Sequence, residues 1–350
     1  MDRLLLIAQV WLGVLGIVGV AAAAPGDALE HGLRVAFALA VTLVVARIPV
    51  TRIVKSSWWL YGGTLLLLIL VLFIGVSPAG SDAKRWLLVG GISVQPSEIM
   101  KVAVIAYLAG FFHNHLGNWQ IWRPMLVVGF ASGLILLEPD VSTALFVFAL
   151  AFAIMLAAGT TITRLLSITT AAALVAIVVG GPYLSQYGYL ADRITGFTDL
   201  WGAQEAVQTT SYQAYRAREA LTSGGVIGIG AGRPVRVPEA ETDMVAISVG
   251  RTLGLVGIAT LIALYLLVAS RGLRVAALRA GPGALLAAGA TAYVTGQAAL
   301  NLLVASGLLP VTGIPLPFVS YGLNSLVSVA VAFGFMHAAY REAQRAEAPA

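Results

Sequence analysis

The sequence predicts an all-α polytopic membrane protein of ten transmembrane helices. Both termini are expected to be cytoplasmic, with a large extracytoplasmic loop between the seventh and eighth helices. Three observations carry this reading. Of 350 residues, 59% are hydrophobic and only 11% charged, where a soluble domain carries about 25% charged residues. A chain so poor in charge cannot cover itself for water. Its apolar residues also fall into segments suited to a bilayer, which takes about 20 residues per helix. Finally, its basic residues gather in alternate connections, which sets an orientation.

The spans are expected near 4–24, 33–50, 58–76, 98–113, 124–138, 141–158, 163–183, 245–270, 283–307 and 318–339. The first ends in AAAAPG, which mimics a signal-peptide cleavage site, but Pro25 and the spans that follow favour an uncleaved helix. The fifth and sixth are short and divided only by Glu138-Pro139-Asp140, as an interrupted pair or a tight hairpin. One set of connections holds Arg3, Arg47, Arg52, Lys55, Arg123, Arg164, Arg271, Arg274, Arg279, Arg341 and Arg345, with Asp2, Glu342 and Glu347 its only acids. The other set holds Asp27, Glu30, Asp82, Glu138, Asp140 and the acids of the long segment 184–244. The basic set is cytoplasmic by the positive-inside rule, and 184–244 lies outside. Residues 1–340 then form one membrane domain and 341–350 a short polar cytoplasmic tail.

No cysteine is present, which excludes disulfides, thiolate catalysis and Cys-ligated metals. His113 and His115, in a cytoplasmic connection, read as solvated loop residues because their spacing does not match a zinc site. The run GGVIGIGAG (224–232) lacks the Gly-Lys-Ser/Thr of a phosphate loop, so it reads as glycine permitting tight turns at the membrane surface. No nucleic-acid partner is expected.

Ionisable residues in or beside spans are functional candidates by default. Glu98 and Lys101 open the fourth span at i, i+3 and share a helix face; they read equally as a neutralised structural pair or as part of an outward cavity. Arg251 lies well inside the eighth span and must face the bundle interior, an acid or water. It shares a helix face with Asp243 two turns earlier. Asp243, in PEAETDMVAISVG (238–250), sits at the outer lip of that span, where a helix cap and a catalytic acid are both open readings. Glu138 and Asp140 are turn residues that bind a cation or a sugar hydroxyl if the turn is recessed. Tyr212 to Leu221 has helical character, ended by Ser-Gly-Gly. Arg193, Arg216 and Arg218 place positive charge outside the membrane, for solvent, lipid headgroups or a phosphorylated ligand.

Five stretches then occur in order: KRWLLVGGISVQPSEIMKVAVIAYLA (84–109), LEPDVSTAL (137–145), YQAYRAREALTSGGVIGIGAG (212–232), PEAETDMVAISVGRTLGLVG (238–257) and NLLVASGLLPVTGIPLPFVSYGLNSL (301–326). Together they resemble the SEDS (shape, elongation, division and sporulation) family, which includes RodA and FtsW. The missing GTQS segment after RITGFTDLW leans toward the division type. The resemblance implies a peptidoglycan glycosyltransferase that polymerises glycan strands from lipid II at the outer leaflet, beside a class B penicillin-binding protein. It implies that Asp243 is the essential acid, drawing the proton from the acceptor's 4-hydroxyl. It implies that Glu98, Lys101, Arg193, Tyr212, Gln213, Arg216, Arg218, Ser320 and Tyr321 line or bind in the substrate cavity. A divalent cation, Mg or Mn, is a possible aid to the leaving pyrophosphate. The chain departs from the family's usual wording at Met244, Ala246, Arg251 and Thr252, at Ser142, and at Leu323 and Asn324. Two competing readings are a lipid II flippase and a non-catalytic scaffold. Charge gathered at the outer face favours the enzyme over the flippase, and retention of Asp243, Glu98 and Lys101 favours it over the scaffold.

Overall fold

The computed structural model describes residues 1–77, 84–114, 121–175, 212–230, 237–278 and 280–347. In chain order these form α1 (Arg3–Ala23), α2 (Ala28–Val45), α3 (Val50–Ile74), a hairpin of β1 (Leu87–Val89) and β2 (Ile92–Val94), α4 (Pro96–Asn114), α5 (Trp122–Leu137), α6 (Val141–Ala157), α7 (Ile162–Val175), α8 (Tyr212–Ser223), α9 (Val245–Leu278), α10 (Pro282–Ala305) and α11 (Leu323–Glu347). Among the described residues, five helices, beginning at Arg3, Pro25, Val50, Val245 and Leu323, are long and apolar enough to cross a membrane, and α5 and α6 are shorter apolar helices. Of the expected seventh span and external loop, 176–211 and 231–236 lie outside the described residues.

The helices explain themselves locally. Asp2 caps α1 by accepting from Leu5 N–H at 3.1 Å. Pro282 opens α10, where its missing N–H costs nothing. α3 begins earlier than expected and takes Arg52 and Lys55 into its first turns, and α9 continues through Arg271 and Arg274. Long basic side chains reach water from a helix end, so charge does not mark the end of a helix. α5 and α6 are an antiparallel pair joined by Glu138-Pro139-Asp140, with Asp140 capping α6 through Thr143 N–H at 3.2 Å.

The core is centred on α4. Met100 to Leu108 are buried without a break, and the helix packs against α3, α6, α10, α11 and α5. A helix apolar all round is surrounded by other helices. α1 instead keeps Trp11 and Ile7 exposed on one side and packs the other on α9 and α2. Gly19 permits the approach to α9, since a Cβ there would lie 2.9 Å from the Val245 and Val249 side chains, and Gly16 lets the 313–322 loop come close, since a Cβ there would lie 2.6 Å from the Val319 carbonyl oxygen.

Two features depart from a simple bundle. Leu87 to Val94 form a two-stranded antiparallel hairpin pairing Val89 with Ile92 across Gly90-Gly91, both at positive φ, as a two-residue I′-type turn requires. And α9 is broken at Gly254 (φ 67°, ψ −159°). The glycine-rich stretch after α8 docks there on bare backbone: Ile229 N–H donates to Arg251 O and Gly230 N–H to Thr252 O, both at 3.1 Å, while Leu255 and Val256 N–H donate to Gly225 O and Val226 O at 2.9 and 3.2 Å. The break frees backbone groups and the loop satisfies them, which is how irregular backbone is tolerated at membrane depth. The expectation of glycines allowing tight turns becomes specific: they let two main chains touch. Any Cβ on Gly228 or Gly254 would overlap the opposing backbone.

Candidate active site

Asp243 ends a compact turn that runs into α9. Thr242 and Met244 N–H both donate to Glu239 O, at 3.2 and 2.9 Å, and Ser248 Oγ donates back to Ala240 O at 2.7 Å. Asp243 itself is half-buried, and the chain beyond it is buried from Met244 to Gly250. The turn is gripped from outside at three successive carbonyls. Tyr321 N–H donates to Glu241 O at 2.8 Å, Ser320 Oγ to Thr242 O at 2.6 Å, and Asn301 Nδ2 to Asp243 O at 2.7 Å.

The gripping loop, 313–322, is itself suspended. Its prolines supply no N–H, so its carbonyls need donors from elsewhere. Asn301 Nδ2 also donates to Ile314 O at 2.8 Å, Gln297 Nε2 to Pro315 O at 2.9 Å, and Tyr265 Oη to Pro317 O at 2.6 Å. Ser320 Oγ accepts from Leu316 N–H at 2.7 Å while donating to Thr242. Tyr321 Oη donates to Glu30 at 3.0 Å, and the Arg34 guanidinium lies 4.2 Å above its ring while pairing with Glu30.

Glu98 and Lys101 belong to a buried network behind this loop. Their ion pair is 2.7 Å long and its side chains are 5% and 2% exposed. Lys101 Nζ also donates to Gln297 Oε1 at 2.8 Å and lies 5.0 Å from the Tyr293 ring centroid. Ser328 Oγ donates to the other Glu98 oxygen at 2.9 Å and contacts Tyr293 Oη at 2.7 Å. A buried ion pair endures only when such hydrogen bonds satisfy its remaining capacity. The pair is joined to the Asp243 turn through Gln297 and the 313–322 loop.

The other sequence candidates are more scattered. Arg216 is partly exposed and pairs with Glu219 at 2.8 Å on α8; Arg218 is exposed on the same helix. Tyr212 and Gln213 begin α8. Arg193 lies outside the described residues. Arg251 is half-buried, and its carbonyl receives the glycine loop. Glu138 is 1% exposed and neither carboxylate oxygen meets a donor among the described residues. Its turn is held by Arg85, whose Nε donates to Glu138 O at 3.0 Å and which also reaches Pro139 O. Among the described residues no three acidic or histidine side chains converge, so a divalent cation has no assembled ligand set there. Two cavities, one lined by Arg341, Glu342 and Arg345 and the other by His113, Gly283 and Glu342, lie at the opposite end of α11, away from Asp243.

Sequence reasoning passed over Gln297, Asn301, Tyr265 and Ser328. A signal existed for two of them: Gln297 and Asn301 are amides at i, i+4 in an apolar span, on one face.

Comparison with known proteins decides what this arrangement belongs to. The cell cycle protein model of FtsW, RodA and SpoVE matches residues 12–345. The chain belongs to the FtsW/RodA/SpoVE family. A probable peptidoglycan glycosyltransferase FtsW from Thioalkalivibrio sp. (strain K90mix) is 33% identical over 89% of this chain and 80% of the relative. One from Alkalilimnicola ehrlichii is 34% identical over 91% and 82%. Among solved structures, a chain of a peptidoglycan synthase complex that coordinates polymerization and crosslinking matches with a TM-score of 0.82 at 26% identity, covering 98% of both chains. Rod shape determining protein RodA of Thermus thermophilus matches at 0.70 and 27% identity over 97% of both. Within this family the present chain gives one of its departures a use: Asn324 Nδ2 donates to Ser93 O at 2.9 Å and its Oδ1 accepts from Gln95 N–H at 3.2 Å, tying α11 to the hairpin.

Proposed function

We propose that this chain is a peptidoglycan glycosyltransferase of the bacterial cytoplasmic membrane, polymerising glycan strands from lipid II at the outer face with a class B penicillin-binding protein as partner. The observation that carries the assignment is the family match over residues 12–345, joined to relatives that bear this activity in their names. In the ten-span reading, residues 1–340 form one membrane domain with cytoplasmic termini. Clustering of Asp2 with Arg271, and of Arg341 with the Arg47 carbonyl, supports one basic end. Glu30, Tyr321 and the Asp243 turn gather at the other.

Asp243 is the general base. The acceptor sugar's 4-hydroxyl attacks the donor's anomeric carbon, its proton passes to the carboxylate, and the bond from that carbon to the lipid pyrophosphate breaks. A positioned base contributes about 10²–10⁴-fold to such a step. Arg193, Arg216 and Arg218 are the residues assigned to meet the departing pyrophosphate, Arg216 by exchanging its pairing with Glu219. Lys101 is engaged by Glu98 and Gln297, which supports a role in shaping the site rather than in meeting phosphate. Mg or Mn, when bound, would further neutralise the departing pyrophosphate.

The deciding experiment incubates labelled lipid II with the purified protein and a cognate class B penicillin-binding protein whose transpeptidase site is inactivated. Glycan polymer is expected. Lipid II crossing vesicles without polymer would replace the assignment with a flippase, and partner binding without polymer or crossing would replace it with a scaffold.

A further inference from the structure

We propose that Asn301 is a positioning residue for the reaction, holding Asp243 in place through its main chain; this rests on reading Asp243 as the base. Asn301 is 1% exposed. Its Nδ2 carries two hydrogens, and each has a carbonyl acceptor: Asp243 O at 2.7 Å and Ile314 O at 2.8 Å. One side chain thus ties the residue proposed to react to the loop that grips it. Tyr321 and Ser320 hold the two preceding carbonyls from that same loop. The turn at 241–243 is therefore fixed at three consecutive residues, and only at Asp243 does the donor come from a transmembrane helix.

Chemistry restricts the position to an amide. Both partners are acceptors, so a carboxylate of the same shape would set negative charge against two carbonyl oxygens. Serine offers one hydrogen and a shorter reach. Gln297, one helical turn earlier on α10, extends the device: its Nε2 holds Pro315 O and its Oε1 receives Lys101. Asn301 thereby stands between the buried ion pair and the Asp243 turn.

A residue that only positions the base should change turnover rather than binding, because substrate contacts elsewhere are untouched. A misplacement of about 1 Å at a reacting group costs roughly 10²-fold. The experiment measures kcat and KM for lipid II polymerisation by the complex with its penicillin-binding protein. It uses wild type, Asn301→Ala, Asn301→Ser, Asp243→Ala, and the Asn301→Ala/Asp243→Ala double variant. Gln9→Ala serves as the control, since Gln9 is fully buried and bonds Thr42, ten residues along α1 from Gly19, which is the residue that meets Val245. The expected result is a kcat lowered roughly 10²-fold in folded Asn301→Ala with KM within about threefold. Asn301→Ser falls between, the double variant is no slower than Asp243→Ala, and Gln9→Ala lowers thermal stability while keeping kcat. A folded Asn301→Ala or Asn301→Ser with wild-type kcat, a loss confined to KM, or a loss matched by Gln9→Ala overturns the proposal. Full activity in Asp243→Ala overturns the base assignment instead, and is read independently of the Asn301 variants.

Discussion

Lys101 is buried in the centre of the bundle, 1% exposed. Glu98, Gln297 and the Tyr293 ring surround it, and Ser328 satisfies the far oxygen of Glu98. Removing one partner of a buried pair strands the other and costs about 3–5 kcal/mol, whereas removing both is far milder. Lys101→Met should therefore destabilise more than the Lys101→Met/Glu98→Gln double variant, measured by thermal unfolding in detergent. Equal or larger loss in the double variant contradicts a closed structural pair. Asp2 makes a comparable junction at the other end, where its carboxylate accepts from Arg271 Nε at 2.9 Å. Burial pushes the Asp2 carboxyl up, but the Arg271 hydrogen bond and the Leu5 N–H outweigh it and hold it below the usual carboxylate range. A lowered folded-state pKa means that Asp2 contributes stability above its unfolded value and loses it as pH falls through the folded one. Asp2→Asn keeps the helix cap but loses the charge. It should cost about 1–3 kcal/mol at neutral pH, and the difference from wild type should shrink as the solution is acidified below the carboxylate range. A difference independent of pH would contradict the account.

Helices were legible because apolar runs of bilayer length carry a strong signal, and α5 and α6 could be separated by three residues alone. The hairpin at 87–94 was not anticipated; its Gly-Gly between β-branched and apolar residues is a turn signature hidden inside a segment read as loop. The break in α9 was equally hidden. One glycine in an apolar span is tolerated in a helix, and only the partner loop shows why Gly254 leaves it. The site was legible in part for the same reason. Asp243, Ser320 and Tyr321 stood in recognisable motifs, but their grip is made through carbonyls, which a residue string does not display. At this scale the docking of 224–230 on the broken helix is testable. Gly228→Ala places a Cβ at φ 83° against the Thr252 carbonyl. It should cost about 1–3 kcal/mol from backbone strain alone and reduce polymerisation, because the Asp243 turn runs directly into the same helix. Unchanged melting temperature and activity would show that the loop does not dock there.

The molecule as a whole separates its charges: Asp2, Arg47, Arg271 and Arg341 gather at one end, while Glu30, Tyr321 and the Asp243 turn gather at the other. The cysteine-free chain makes sidedness simple to read. A cysteine at Gly26, where added atoms meet nothing within 4 Å, should react with a membrane-impermeant maleimide in cells whose outer face is accessible. One at exposed Thr161 should react only after permeabilisation. The reverse pattern would invert the molecule and move Asp243 away from the lipid-linked sugars. Placement at the outer face matters because the sugar must reach the carboxylate while its lipid tail stays in the bilayer. The most direct test of that claim compares glycan polymerisation from lipid II by wild type and Asp243→Asn, each folded and bound to its penicillin-binding protein. A fall of about 10²–10⁴-fold in rate with binding retained is the predicted result. Polymerisation at the wild-type rate would reduce Asp243 to a helix-start residue and contradict the account.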